Sequence, residues 1–476
     1  MSLSLVALSA LSLITSSQLQ TQQQVATLVV EPSGASIIYA SEGQASAAAD
    51  SPSSPTAMVR SIDDDGRVTI RLQPDRQRED AGYPLLTHVG AGWLIYLPGV
   101  ILPDSRLEIV KPSGWIILPR QKSRDDGFIY LGPYVDNYEL VVDPHVDAET
   151  SRVVHQAASK ALSYYRRILN SAPASDAPLW ILSLLPPGST QKFVADVTPN
   201  GVVNVQIAAG LSPDDLLELE FVVAHEAFHL QTQTLWDEGA LSDWEREGAA
   251  EYAAIRHFQD RGLGDFARAR LQQQLNACLK SLPPSGLAER DIGPARYSCG
   301  AIYAWLSDLA PEGVFEAWRA QAGHAVEPHS RTPIVASALQ ALRTGEGDPA
   351  KLTLLALREH GERVTELEVT SGAWALAAIA PAMFSVCNGL EGVSQEDDGT
   401  WLLHGDLGCG DTGKNATLTA IDDISARELG RATFDYVSAN CKRGVTFHLE
   451  GEAGEAGVRY HCAALPPPPK PNYLLE

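Results

Sequence analysis

The sequence has few positive charges and no long apolar run. Its 476 residues include 36 lysines and arginines against 59 aspartates and glutamates, which gives a formal net charge of −23. An acidic chain is repelled by phosphate backbones and anionic lipid headgroups, so we expect no nucleic-acid partner and no anionic membrane partner. The apolar stretch at residues 5–14 is too short to span a bilayer, and the one at residues 373–380 ends at Pro381. We therefore expect no membrane span.

Cysteine is scarce too, and no Cys-x-x-Cys pair is present, which argues against a cysteine-ligated metal. The six cysteines are Cys278, Cys299, Cys387, Cys409, Cys441 and Cys462. Residues 1–17 read as a secretory signal peptide, so we expect a secreted or periplasmic protein with disulfides. The simplest pairing joins Cys278 to Cys299 and places two bridges among the other four, for which three pairings are open. Reduced thiols in a cytosolic enzyme are the alternative.

The most informative segment is His225-Glu226-Ala227-Phe228-His229. Residues four apart lie on one face of a helix, so both imidazoles can bind one zinc ion. Glu226 is then placed to act as the base that activates a water molecule. The alternative is a buried helix with two hydrogen-bonded histidines, which leaves the residues downstream unexplained.

The residues before this motif predict where its helix begins. Ser212 suits the N-cap, Pro213 the first helical position, and two aspartates the first turn. Apolar residues then recur at helical spacing and predict a buried face. The motif therefore lies on an amphipathic helix.

A catalytic zinc usually has a third protein ligand. Thr232 and Leu235 stand where a metzincin would have its glycine and third histidine, so that class is excluded. The segment Trp244-Glu245-Arg246-Glu247-Gly248-Ala249-Ala250-Glu251-Tyr252 predicts a second helix, whose small residues allow it to pack close to the first.

Together, the two segments resemble the gluzincin metallopeptidases, the clan of aminopeptidase N and the glycyl aminopeptidases. The resemblance covers residues 212–310 and implies that Glu247 is the third ligand of a single Zn²⁺. Glu251 is a substrate-facing or supporting residue, and the alternative ligand. A Tyr-x-x-Gly helix start, Tyr297-Ser298-Cys299-Gly300, matches the clan's oxyanion-stabilising tyrosine. The alternative for Tyr297 is a tyrosine of the core.

The expected architecture is an α+β multidomain protein. After the signal peptide we expect an all-β domain at 25–145 and a thermolysin-like α/β plus helical catalytic domain at 146–380. A small disulfide-containing β module, faintly similar to a PDZ domain, is expected at 381–465. Residues 466–476 are expected to form a tail that does not fold on its own.

These features predict a zinc metallopeptidase that hydrolyses a peptide or protein substrate. Thermolysin-like folds bind extended peptides on an edge strand, and the segment Val202–Ala208 is the candidate, with Val203 and Val205 as substrate-binding residues. That segment contains no acid to hold a substrate ammonium, which favours an endopeptidase over a glycyl-type aminopeptidase. The alternative from another class is an inactive zinc-binding or peptide-binding protein. The oligomeric state is not predicted.

Overall fold

In the computed structural model, the chain divides into two compact units, Met1–Asp237 and Glu238–Glu476. The residues described are 25–39, 58–75, 84–99, 106–119, 127–133, 139–170, 178–186, 189, 191–233, 242–288, 295–309, 313–320, 332–387, 390–396, 400–407, 413–451, 454–462 and 468–475. The predicted signal peptide and Cys409 lie outside them. None of the described helices is long and apolar enough to cross a membrane.

Strands occupy the first part of the N-terminal unit. They are β1 (Val25–Glu31), β2 (Gly34–Tyr39), β3 (Met58–Ile62), β4 (Val68–Leu72), β5 (Leu86–Val89), β6 (Gly92–Tyr96), β7 (Arg106–Val110), β8 (Ile116–Leu118), β9 (Phe128–Gly132) and β10 (Leu140–Val142). One sheet has the order β3-β4-β2-β1-β7 and a second the order β5-β6-β9-β8. Ala26, Leu28 and Val30 of β1 are buried because alternate side chains of a strand share one face. All ten strands fall within residues 25–145, where the sequence predicts β structure.

An α/β layer completes this unit. Its elements are α1 (Ala148–Leu169), β11 (Leu179–Leu184), β12 (Phe193–Val197), β13 (Val202–Ile207) and α2 (Pro213–Thr232). The sheet order is β10-β11-β13-β12, with β12 antiparallel to β13 and the other pairs parallel. α2 packs on α1, where the rings of Tyr165 and Phe228 meet edge to face with centroids 5.2 Å apart. This packing fixes the helix that carries the His-Glu-x-x-His motif.

The second unit opens with a helical core. Its elements are α3 (Asp243–Asp260), α4 (Gly264–Ser281), α5 (Ala295–Asp308), α6 (Val314–Ala320), α7 (Pro333–Thr344), α8 (Pro349–Glu359) and β14 (Val364–Leu367). α3 and α5 cross with backbones in contact, because an ideal Cβ on Gly248 would lie 2.2 Å from Cα of Gly300. The predicted disulfide Cys278–Cys299 is confirmed and joins α4 to α5. The small-residue run on α3 therefore packs on α5 at Gly248.

The C-terminal module contains helices as well as strands, which corrects the expectation of a β module. Its elements are α9 (Ser371–Val386), β15 (Leu390–Gln395), β16 (Trp401–Leu407), β17 (Gly413–Ile421), β18 (Ile424–Ser425), α10 (Arg431–Asn440), β19 (Val445–Gly451) and β20 (Gly454–Tyr460). The strands form one sheet, and its core includes Ala375 and Met383 of α9, so this module begins before residue 381. Cys441 is bridged to Cys462, and Cys387 is also disulfide-bonded.

The expected tail is a strand built into the helical core, so the prediction of a separate tail is wrong. β21 (Asn472–Leu475) pairs antiparallel with β14, and Tyr473 and Leu475 are buried. Asn276 of α4 brackets the backbone of Tyr473, accepting from its N–H at 2.7 Å and donating to its carbonyl at 2.9 Å. The sequence did not indicate this because β21 depends on a partner far upstream, which no local pattern shows.

Candidate metal site

The start of α2 is held as the sequence predicts. The hydroxyl oxygen of Ser212 accepts from the N–H of Asp215 at 3.2 Å, and the Asp215 carboxylate accepts from the N–H of Ser212 at 3.0 Å. Lys192 donates to the same carboxylate at 2.6 Å. The hydrogen bonds that the carboxylate accepts, from Lys192 first and then from the hydroxyl and the N–H of Ser212, lower the pKa of Asp215 to about 2. The helix therefore begins at a fixed point, which sets the position of the motif three turns later.

His225 and His229 point at one place. Their Nε2 atoms lie 3.1 Å apart, with His225 buried and His229 half-buried. Two nitrogens bound to one tetrahedral zinc at about 2.0–2.1 Å would be about 3.3 Å apart. The 3.1 Å separation fits two ligands of a shared ion, and it equally fits the hydrogen bond between two histidines that is the alternative from the sequence.

Glu247 is the third member of this group. One ligand atom from each of His225, His229 and Glu247 lies within 4.8 Å of the others. Two imidazole nitrogens and a carboxylate oxygen form a donor set that suits Zn²⁺. Within the described part of the chain, this is the one group of three or more His, Cys, Asp or Glu side chains so placed. The side chains present therefore fit a metal ion.

Glu251, one turn further along α3, is engaged elsewhere. Its buried carboxylate accepts from Gln274 Nε2 at 2.6 Å and lies 3.6 Å from Nη2 of Arg270, and both partners belong to α4. It does not belong to the group of potential ligands. Glu251 therefore joins α3 to α4, and Glu247 is the glutamate of α3 that belongs to the group of potential ligands.

Glu226 lies next to His225 on α2, with its side chain only 7% exposed. Glu226 follows the potential ligand His225, which is the position that a His-Glu-x-x-His motif gives to the proton acceptor for water. Its catalytic role stays a prediction.

Tyr297 lies in the first turn of α5 and is half-buried. Nη2 of Arg296 donates to the phenol oxygen at 3.1 Å, and the guanidinium carbon lies 4.9 Å from the ring centroid. Burial alone would lower the pKa of Arg296, but the Tyr297 oxygen and the nearby carboxylates of Glu247 and Asp243 raise it. Arg296 was not predicted as a site residue, although the pattern Arg-Tyr-x-x-Gly is visible in the sequence.

The structure corrects the choice of edge strand. β13, which contains Val203 and Val205, is paired on both sides, and both side chains are fully buried, so they cannot bind substrate. Among the described strands, β12 lies at the end of this sheet. The sequence misled because an interior strand and an edge strand can both be continuous apolar runs. β12 is half-buried and contains Asp196, an acid absent from β13.

Comparison with known proteins by a scan against family models and by a search of curated proteins found no match for this chain.

Proposed function

We propose that this protein is a zinc-dependent peptidase whose metal is held by His225, His229 and Glu247. The observation that carries the proposal is the convergence of the two imidazole Nε2 atoms with the Glu247 carboxylate. A helical His-Glu-x-x-His motif with a third carboxylate ligand from a later helix supports hydrolysis rather than metal storage, because it also provides a base next to the metal. Zinc supplies a Lewis acid that polarises a carbonyl group and acidifies water.

The chain's own residues would carry the proton transfers. The Glu226 carboxylate would accept a proton from the attacking water and pass it to the leaving amine. The Tyr297 phenol would donate a hydrogen bond to the oxygen that becomes negative in the transition state. An extended peptide would pair with the backbone of β12, because a strand at the end of a sheet offers unpaired N–H and C=O groups.

A glycyl-type aminopeptidase is the second candidate, and Asp196 favours it. An aminopeptidase must hold the free ammonium of its substrate, and an unpaired buried ammonium is costly. The absence of acids from β13 favoured an endopeptidase, but β12 is the end strand among the described strands of this sheet and contains Asp196. The preference for an endopeptidase is therefore weaker than the sequence alone suggested.

The metal assignment is tested by comparing two isosteric variants of α3. We expect the purified parent to contain one zinc per chain by inductively coupled plasma mass spectrometry. Glu247→Gln should lose most of that zinc, because a neutral amide is a poor zinc ligand. Glu251→Gln, with the same chemical change one turn away, should retain it. Zinc retained by Glu247→Gln and lost by Glu251→Gln would overturn the assignment.

The reaction is tested with peptides in matched pairs, free and N-acetylated, analysed by mass spectrometry. Cleavage within both members of a pair would support an endopeptidase. Stepwise removal of residues from the free peptides alone would indicate an aminopeptidase, and Asp196→Asn should then raise KM. Glu226→Gln should abolish either activity and keep the zinc. Zinc binding with no cleavage of any peptide would refute the enzyme proposal and favour a binding protein.

A further inference from the structure

We infer that Arg296 is a positioning residue that fixes Tyr297 as a hydrogen-bond donor. This inference rests on the proposed function, in which Tyr297 donates to the reacting oxygen. Two contacts carry it: the 3.1 Å hydrogen bond from Nη2 to the phenol oxygen, and the guanidinium carbon 4.9 Å from the centroid of the same ring.

The chemistry of the two groups determines which one donates. A guanidinium group has only N–H donors and keeps its proton at any pH a protein tolerates. It can therefore bind only a lone pair of the phenol oxygen, and the phenol hydrogen must point away from Arg296. Because Arg296 can take only a lone pair of the phenol oxygen, the O–H of Tyr297 is the group through which the phenol would bind an oxyanion.

The guanidinium is also attracted by nearby acids. Glu247 and Asp243 on α3 both interact electrostatically with Arg296. Asp243 is paired with another arginine, since Nη2 of Arg246 lies 2.6 Å from its carboxylate. Arg296 is thus attracted electrostatically to two acids of α3 while it contacts the phenol.

The backbone beneath this pair is restrained on two sides. The disulfide Cys278–Cys299 ties α5 to α4 two residues after Tyr297. The contact of Gly300 with Gly248 ties the same turn to α3. The backbone of Tyr297 is therefore fixed by the fold, and Arg296 fixes the ring and its oxygen.

The test uses the zinc-loaded full chain and two measurements. The first is kinetic: Arg296→Gln should lower kcat by roughly 10–100-fold and leave KM within about 2-fold. The reason is that the hydrogen bond from Tyr297 to the reacting oxygen strengthens as that oxygen becomes negative in the transition state. Arg296→Lys should recover part of the lost kcat, since an ammonium group can donate a hydrogen bond to the phenol but is not planar and cannot also stack on the ring. In a Tyr297→Phe background, Arg296→Gln should have no further effect on kcat.

The second measurement needs no turnover, so it separates this inference from the proposed function. The ¹³C ring resonances of Tyr297, assigned by their loss in Tyr297→Phe, should shift and sharpen towards those of a mobile tyrosine in Arg296→Gln. Arg152→Gln removes an exposed positive charge on α1, where Arg152 pairs with Glu149, and it should leave both measurements unchanged. Unchanged resonances in Arg296→Gln would overturn the inference whether or not the protein cleaves peptides. Rate effects that multiply in the double variant would overturn it too.

Discussion

Replacing Gly248 with alanine puts a methyl group where two helices touch backbone to backbone. An ideal Cβ at this position lies 2.2 Å from Cα and from the carbonyl carbon of Gly300 on α5, whereas ordinary contacts begin at 3.4 Å. The difference, 3.4 minus 2.2, requires the helices to separate by about 1.2 Å. Because backbone is the obstacle, no side chain can rotate out of the way.

The magnitude follows from two opposing effects. Forcing extra atoms into a packed interior costs typically about 1–3 kcal/mol, and we take the upper end because α3 and α5 must move as whole helices. Alanine is better than glycine in a helix by about 1 kcal/mol, which offsets part of that cost. The free energy of unfolding should therefore fall by about 2 kcal/mol in Gly248→Ala.

Urea denaturation measures this loss, and amide hydrogen exchange locates it. Exchange should accelerate in peptides from α3 and α5, and less in the C-terminal module. Gly264→Ala is the matched control, because a Cβ at Gly264 meets nothing within 4 Å and the backbone there is not in the left-handed region. That variant should keep or slightly gain stability.

The same displacement should affect the proposed reaction. Glu247 directly precedes Gly248, and Tyr297 lies three residues before Gly300, so moving the helices apart moves a proposed metal ligand away from the proposed oxyanion donor. A misplacement of about 1 Å can cost on the order of 100-fold in rate. If Gly248→Ala unfolds at the same urea concentration as the parent and as Gly264→Ala, the reasoning about close helix contact is refuted.

Three further changes test the framework of the site. The pKa of Asp215 is about 2 in the folded chain against 3.8 unperturbed, so its contribution to stability is present above pH 3.8 and is lost as the pH falls through 2. Urea unfolding measured between pH 5 and 2 should show that Asp215→Asn loses less stability with falling pH than the parent does, and an equal loss would contradict this. Replacing Cys278 and Cys299 with serine opens a loop with a sequence separation of 21 residues and should lower the free energy of unfolding by about 3 kcal/mol. A variant as stable as the parent would show that the disulfide does not stabilise α5. Tyr473→Ala empties a buried position under β21 and should cost about 3 kcal/mol by thermal or urea unfolding, with the exposed Leu474→Ala as the control that stays within about 0.5 kcal/mol.

Elements with strong local signals were predictable from the sequence. The pattern from Ala148 to Leu169 predicts a helix that the structure contains with the same bounds. Ser212, Pro213 and the two aspartates predicted the start of α2, because capping depends on residues within one turn of each other. His225 and His229 were predictable for the same reason, since their convergence needs only helical geometry.

Features that depend on distant partners were not predictable. The run from Val202 to Ile207 is a strand as expected, but its neighbours determine whether it lies inside the sheet, and it has one on each side. The strand at Tyr473 needs β14 as a partner, and the helix at Arg431 lies in a segment whose glycines and apolar runs suggested only strands. In each case a tertiary contact decided what the local pattern left open.

Gly248, Gly300 and the disulfide Cys278–Cys299 position the proposed active site although none of them takes part in the proposed reaction. Glu247 could be assigned by resemblance, but its relation to Tyr297 depends on the missing side chains of Gly248 and Gly300 and on the disulfide that anchors α5. A glycine in a helix interior weakens the helix, so two of them facing each other are understandable only through the close approach they permit. Substituting either glycine therefore tests the geometry of the proposed active site while leaving every proposed catalytic and metal-binding side chain in place.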